Sequence, residues 1–319
     1  MIIKVKNIKG VALPHRKGTS EIPTEILPIP KLVEIPMQQH IGAPCKVLVG
    51  KGDYVYVGQV LGDSEKFVSA PIHSSVSGNV VQIKDIILHN GVKCESIVIE
   101  TDGKQEVLPG IDQPDISTKE KFLKAVRNSG LTGLGGAGFP AHVKLDTKER
   151  IPEALIINAV ECEPYITCDY RAIIEEGGEI VNGVKLLLDK LAIPKAYIAV
   201  EDNKPAAFSL LKELTKDHSG IQTVMLKTKY PQGAEKMLIY ALTGKEVPMN
   251  GLPIDIGTVV MNVTSVLALY KYCKTGMPLV SKRITVEGSG VKNRGNYQVV
   301  IGTHIKDIFE YCKVIKKKR

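Results

Sequence analysis

The chain has 319 residues, 44% apolar and 24% charged, with a formal net charge of +8. That suits a globular protein of two or three domains. No run nears the roughly 18–20 apolar residues that span a bilayer, and no signal-peptide core follows Met1, so a cytoplasmic protein without a membrane span is expected. With no tryptophan and five phenylalanines there is no stacking platform for single strands, which sets nucleic acid aside. The basic end at Lys313, Lys316, Lys317, Lys318 and Arg319 reads as solvated.

Residues 1–40 hold Pro14, Pro23, Pro28, Pro30 and Pro36 and read as extended chain laid over a surface. From Cys45 to about Glu100, short apolar runs alternate with turns such as Gly50-Lys51-Gly52-Asp53 and Ser77-Gly78-Asn79. That spacing predicts a small all-β domain. Its order is similar to a biotinyl/lipoyl-type hammerhead, with Val49–Val55 as the entry turn and Ala70-Pro71 and Val76-Ser77-Gly78 as the exit. Lys66 falls near the modified lysine of carrier domains, but the flanking pattern is only partly kept, and an exposed turn lysine is the plainer reading. Residues 103–115 form a linker that closes a first domain, 1–115.

A helix is predicted over 118–128, from Phe122, Ala125 and Val126 at helical spacing, and Ser129-Gly130 ends it. The run 154–160 is apolar enough for a strand buried on both faces. Helices over 174–191, 205–215 and 233–242 alternate with strands over 195–201 and 221–227. This alternation predicts a mainly parallel sheet with helices on its faces, giving a second domain, 116–254. In 255–319, an apolar strand runs into a helix, then strands at 282–288 and 296–301 precede a helix at 305–311, which suggests a β-grasp module.

Four motifs carry chemistry. The loop Gly133-Leu134-Gly135-Gly136-Ala137-Gly138-Phe139-Pro140 offers bare backbone amides to a phosphate or a ring. It fits G-x-G-x-x-G, yet it follows a helix, so it is not a dinucleotide Rossmann turn; a plain surface loop is the alternative. Asn158, Glu161 and Glu163 stand at the carboxyl end of the buried strand, where open α/β sheets bind ligands. A helix start at Glu163-Pro164 is the competing reading. Tyr230-Pro231-Gln232-Gly233-Ala234-Glu235-Lys236 follows the third strand, and Val260-Met261-Asn262-Val263-Thr264-Ser265 passes from strand to helix; either could be an ordinary cap. The six cysteines include no C-x-x-C pair, so no metal site is expected and the thiols are read as reduced.

The order of these four motifs resembles the flavin-binding subunit of respiratory complex I. The closer resemblance is to the RnfC family of the Rnf electron-transport complex, through Gln38-Gln39-His40-Ile41-Gly42-Ala43-Pro44, Phe67-Val68-Ser69-Ala70-Pro71, Glu161-Cys162-Glu163-Pro164-Tyr165, 241–248 and 283–288. The resemblance implies an α/β multidomain protein: an N-terminal barrel-sandwich (lipoyl-like) domain, a Rossmann-like FMN and NADH domain, and a C-terminal SLBB-type β-grasp domain. It implies FMN binding by Gly133, Gly135, Gly136, Ala137, Gly138, Asn158, Glu161, Glu163, Asn262 and Thr264. NADH would meet Phe139, Lys144 and Glu235. Leu134 stands where an arginine is common, and Cys162 breaks the usual wording of the acidic motif; both suit the Rnf-type variant.

Family members normally continue into a ferredoxin-like domain with two 4Fe-4S clusters, and this chain carries no such cysteines. It is read either as a piece of a longer chain or as a short form serving a separate iron–sulfur protein. The implied activity is NADH:ferredoxin oxidoreduction, with hydride passing from NADH to FMN and single electrons onward. The implied partners are other subunits of a membrane electron-transport complex at the inner face of the cell membrane. A cofactor-free docking module, or an electron donor to a cobalamin or proline reductase, is the alternative.

Overall fold

A computed structural model describes residues 5–136 and 138–315. The proline-rich start supplies two strands, β1 (Thr24–Ile26) and β2 (Leu32–Pro36), where the sequence reading had only extended chain. Then come β3 (Lys46–Val47), β4 (Tyr54–Val55), β5 (Val60–Asp63), β6 (Ile72–His73), β7 (Gly78–Ile87) and β8 (Lys93–Thr101). An antiparallel sheet ordered β2-β8-β7-β4 and a second ordered β3-β5-β6 share a core of Val33, Ile35, Met37, Val55, Leu61, Ile97 and Ile99. Alternate residues of β2 point inward, as expected of a strand with one buried face. Gly78 is obligatory, because a Cβ there would lie 2.1 Å from Glu100 O.

Helix α1 (Lys119–Asn128) starts where Thr118 accepts from Lys121 N and buries Phe122, Ala125 and Val126. A short helix α2 (Ala141–Leu145) leads to β9 (Ala154–Ala159), α3 (Cys168–Lys190), β10 (Ala196–Glu201), α4 (Pro205–Thr215), β11 (Ile221–Leu226) and α5 (Glu235–Thr243). After a 3-10 turn at Pro253–Ile256 come β12 (Thr258–Asn262) and α6 (Val263–Thr275). Strands β9 to β12 form a parallel sheet ordered β11-β10-β9-β12. Helix α3 begins at Cys168, ahead of the apolar periodicity, and is interrupted by non-helical backbone at Glu176 beside Gly177-Gly178. A Cβ on Gly183 would stand 2.8 Å from Val266, so glycine permits the close approach of α3 and α6.

The chain ends in β13 (Ser281–Val286), β14 (Gly295–Val300) and α7 (Ile305–Tyr311). Strand β1 pairs in parallel with β14, giving the order β1-β14-β13 over a core that includes Leu27, Tyr297, Val299 and Ile308. The chain divides into two compact units. One holds the described residues up to Glu21 with Lys144–Tyr270; the other holds those of Ile22–Val143 with Lys271 onward. No helix among the described residues is long and apolar enough to cross a membrane.

Candidate functional site

The glycine loop belongs to the second unit. Its stem is closed by main-chain bonds from Gly133 N to Phe139 O and from Ala141 N to Leu131 O, both 2.9 Å, and Thr132 bridges Pro140. Gly135 and Gly136 are exposed, and a Cβ on Gly136 would have nothing within 4 Å. Gly138 sits at φ +63°, where glycine is favoured, and its carbonyl accepts from Ile41 N at 3.1 Å. The motif around His40 therefore buttresses the loop. His40 Nε2 is held 3.1 Å from both Ala70 N and Ala70 O, and His142 Nε2 lies 3.1 Å from Phe67 O. Ala137, expected in this set, lies outside the described residues.

The remaining expected residues lie in the first unit. In the order β11-β10-β9-β12 the chain leaves β9 first toward β10 and later returns on its other side as β12. The carboxyl ends of β9 and β12 therefore flank a topological switch point, the usual ligand crevice of an open α/β sheet. Asn158 and Asn262 are direct partners there. Asn158 Nδ2 donates to Gly233 O at 2.8 Å, and its Oδ1 accepts from Val160 N at 3.2 Å. Asn262 Oδ1 accepts from Thr264 N and Ser265 N at 2.9 and 3.1 Å, which caps α6. Asn262 Nδ2 and Thr264 Oγ1 donate to the two oxygens of Asp169 at 2.7 and 2.5 Å.

Sequence reasoning missed Asp169. Its one sequence signal is an acid in the first turn of α3, which helix starts favour generally.

Glu161 adopts φ +50° and is buried. Its Oε1 accepts from Asp169 N at 2.7 Å, while Oε2 has no hydrogen-bond partner among the described residues. Burial, with help from the Asp169 carboxylate, pushes the Glu161 carboxyl up to about 8, against the pull of Lys17 and Lys204. Burial also raises Asp169. Glu163, two residues on, is exposed.

Two lysines hold the backbone of this acidic loop. Lys17 Nζ donates to the carbonyls of Glu161, Glu163 and Ile166. Lys204 Nζ donates to Val160 O at 2.6 Å and pairs with the fully buried Glu201 at 3.3 Å. Neither lysine was singled out from sequence. Lys144 and Glu235, read as NADH contacts, form an ion pair at 2.6 Å. Cys168 Sγ and oxygens of Glu161 and Asp169 come within 4.8 Å of one another, beside the ammonium groups of Lys17 and Lys204.

A parallel sheet with amides and acids gathered at its switch point, in a chain that also presents a bare glycine loop, defines a nucleotide-cofactor protein. Residues 126–271 match the Nuo51 FMN-binding domain, and residues 5–104 match the RnfC barrel sandwich hybrid domain. The chain belongs to the RnfC family, the C subunits of ion-translocating oxidoreductase complexes. It is 43% identical over 321 residues to the C subunit of the proton-translocating ferredoxin:NAD(+) oxidoreductase complex of Clostridium ljungdahlii, covering 98% of this chain and 70% of that one. Identity to the Na(+)-translocating counterpart of Acetobacterium woodii is 39%, covering 95% and 70%. The Rhodobacter capsulatus relative is 34% identical, and this chain spans 59% of it. Among solved structures, the air-oxidised NAD+-reducing [NiFe]-hydrogenase shares the fold, with a TM-score of 0.55 at 22% identity over 64% of this chain and 40% of that one.

Proposed function

We propose that the chain binds FMN and passes electrons between NADH and an iron–sulfur acceptor. Membership in the family makes it an electron-transfer subunit of the Rnf ferredoxin:NAD oxidoreductase type. The observation that carries the flavin reading is the pairing of Asn158 with Asn262 across the switch point, with buried Glu161 beside them. The residues present fit the group. Exposed amides at Gly135 and Gly136, with open space above Gly136, suit an anion or a ring at van der Waals distance. Oε2 of Glu161, without a hydrogen-bond partner among the described residues, suits a polar ligand atom, as a donor when the carboxyl is protonated and as an acceptor when it is ionised.

When bound, FMN supplies the chemistry of hydride acceptance and single-electron release. The protein's own part is positioning and field. Main-chain amides of Gly135, Gly136 and Gly138 would meet a phosphate, and Asn158, Asn262 and Thr264 would order the strand ends. Glu161 and Glu163 would offer their carboxyl groups to polar atoms of the cofactor. Phe139 would offer a ring face, and the Lys144–Glu235 pair would offer a cation and an acceptor, to the dinucleotide. Strands β13 and β14 with α7 are read as an SLBB-type β-grasp module, supported by the hairpin-then-helix order and its own small core. The other subunits of a membrane complex, at its cytoplasmic side, are the proposed partners.

The test is titration of purified protein with FMN, followed by flavin fluorescence, and then anaerobic NADH. Saturable quenching and bleaching of the visible flavin band are expected. No saturable binding would remove the assignment.

A further inference from the structure

We infer that Lys17 is a tethered cation that sets the shape of the 160–166 loop, which makes it a positioning residue for the flavin site. The identity of the ligand rests on the reading above; the role of Lys17 in shaping the loop does not.

An ammonium group has three N–H donors and no acceptor. All three of Lys17 are spent on main-chain carbonyls of one short loop, at 2.9 Å to Glu161, 2.8 Å to Glu163 and 2.5 Å to Ile166. The Glu161 carboxylate stands 3.8 Å away, and the lysine side chain is 16% exposed. Carbonyl dipoles aimed at one point repel one another unless a cation sits there, and rings of carbonyls are how proteins hold monovalent cations. Here the cation comes from the chain's own N-terminal segment. That segment is fastened on both sides of Lys17. Arg16 N donates to Pro164 O, Thr19 Oγ1 lies 2.6 Å from Thr167 Oγ1, and Val11 exchanges two main-chain bonds of 2.8 Å with Tyr230.

Lys204 does not duplicate the role. It shares Glu161 O with Lys17, at 3.3 Å, but its shortest loop contact is Val160 O at the strand end, at 2.6 Å, and its charge is matched by Glu201, whereas Glu163 O and Ile166 O are held by Lys17. The loop that Lys17 holds keeps Glu161 at a positive φ and leaves the Glu163 side chain exposed. Lys17 therefore acts on a ligand only through the residues it arranges.

The experiment compares wild type, Lys17→Met, Lys17→Ala and Lys17→Arg, with Arg16→Ala as control. Two readouts are used: FMN affinity, and amide hydrogen exchange over 161–169 without FMN. Lys17→Met is expected to weaken FMN binding at least about tenfold and to speed exchange in the loop, since three charge-assisted bonds are lost. Ethylammonium chloride should restore both properties in Lys17→Ala, whereas tetramethylammonium, which has no N–H, should not. Arg16→Ala should match wild type.

If the Met and Ala variants do not fold, Lys17→Arg decides. A planar guanidinium does not aim three donors at converging carbonyls, so binding should weaken in a folded protein. Wild-type affinity and exchange in Lys17→Met, or in a folded Lys17→Arg, would overturn the inference. So would equal rescue by tetramethylammonium. If wild type itself binds no FMN, the flavin reading fails, and the exchange data alone then decide for or against Lys17.

Discussion

The glycine loop and the acidic loop present backbone in opposite ways. The glycine loop is closed by main-chain bonds at its stem, and its exposed tip at Gly135 and Gly136 carries no side chain. The acidic loop is crossed by one buried and one partly buried ammonium group, Lys204 and Lys17, and keeps a buried carboxyl with one oxygen that has no hydrogen-bond partner among the described residues. One region is prepared by leaving atoms out, the other by taking charge out of water. The second coupling ties ligand binding to fold stability, because each buried charge depends on its partners. Substitutions in the acidic loop's supports should therefore unsettle the fold, while those at the glycine tip should touch the ligand alone.

The largest effect is expected from Lys204→Met. It strips Val160 O of its donor and leaves Glu201, whose side chain is fully buried, without its cation. Removing one partner of a buried pair costs about 3–5 kcal/mol. Urea unfolding followed by circular dichroism measures this, and a loss under about 1 kcal/mol would show that the acidic region is no more charge-dependent than a surface.

The next effect is on pH dependence. Glu161 is held at about 8 in the fold, against an ordinary value of 4.5. A raised carboxyl contributes stability that is complete below about 4.5 and is lost as pH rises through about 8. His73, lowered to about 4 by burial, acts with the opposite sign between there and 6.5, so the comparison must isolate Glu161. The melting temperature of Glu161→Gln minus that of wild type should climb by roughly a few degrees between pH 5 and 8.5. A difference that stays flat with pH would place the Glu161 carboxyl in ordinary solvent.

The contrast also explains what could be read from the chain before folding. Glycine chemistry is local, since the missing Cβ that frees Gly136 is visible in the letters themselves. Local too are the apolar periods that define α4 and α7, whose ends coincide with the sequence reading at 205–215 and 305–311. The supports of the acidic loop are remote. Lys17 is separated from Glu161 by 144 positions, and Asp169 meets Asn262 across 93. A lysine in a proline-rich segment carries no mark that it will be buried against carbonyls. The pairing of β1 with β14 was hidden for the same reason, since a three-residue strand among prolines has too short a pattern to reveal a partner some 270 residues away. The start of α3 was missed because its first turn is polar, and its Asp169 is spent on the switch point.

A smaller effect on stability is expected from Lys144→Ala. Its ion pair with Glu235 is short, but both side chains are about a third exposed, at 32% and 38%. Such a pair contributes under about 1 kcal/mol. If the pair also meets the dinucleotide, the KM for NADH should rise several-fold while the melting temperature barely moves. An unchanged KM would remove Lys144 from the proposed NADH contacts.

The smallest effect on the fold, and the sharpest test of the contrast, comes from Gly136→Val. Nothing lies within 4 Å of the added Cβ, and the residue is exposed. Its backbone is also not among the glycines at positive φ, so a side chain brings no conformational strain there. Stability should stay within about 0.5 kcal/mol of wild type. A valine over the amides would nonetheless fill the space proposed for the flavin, so FMN affinity should fall at least about tenfold, a change of about 1.4 kcal/mol in binding free energy. Equilibrium unfolding and a fluorescence titration on the same preparation read the two numbers side by side. A variant that unfolds easily would mean the tip is part of the protein's own packing. One that binds FMN as wild type does would mean the open space over Gly136 serves something other than the cofactor.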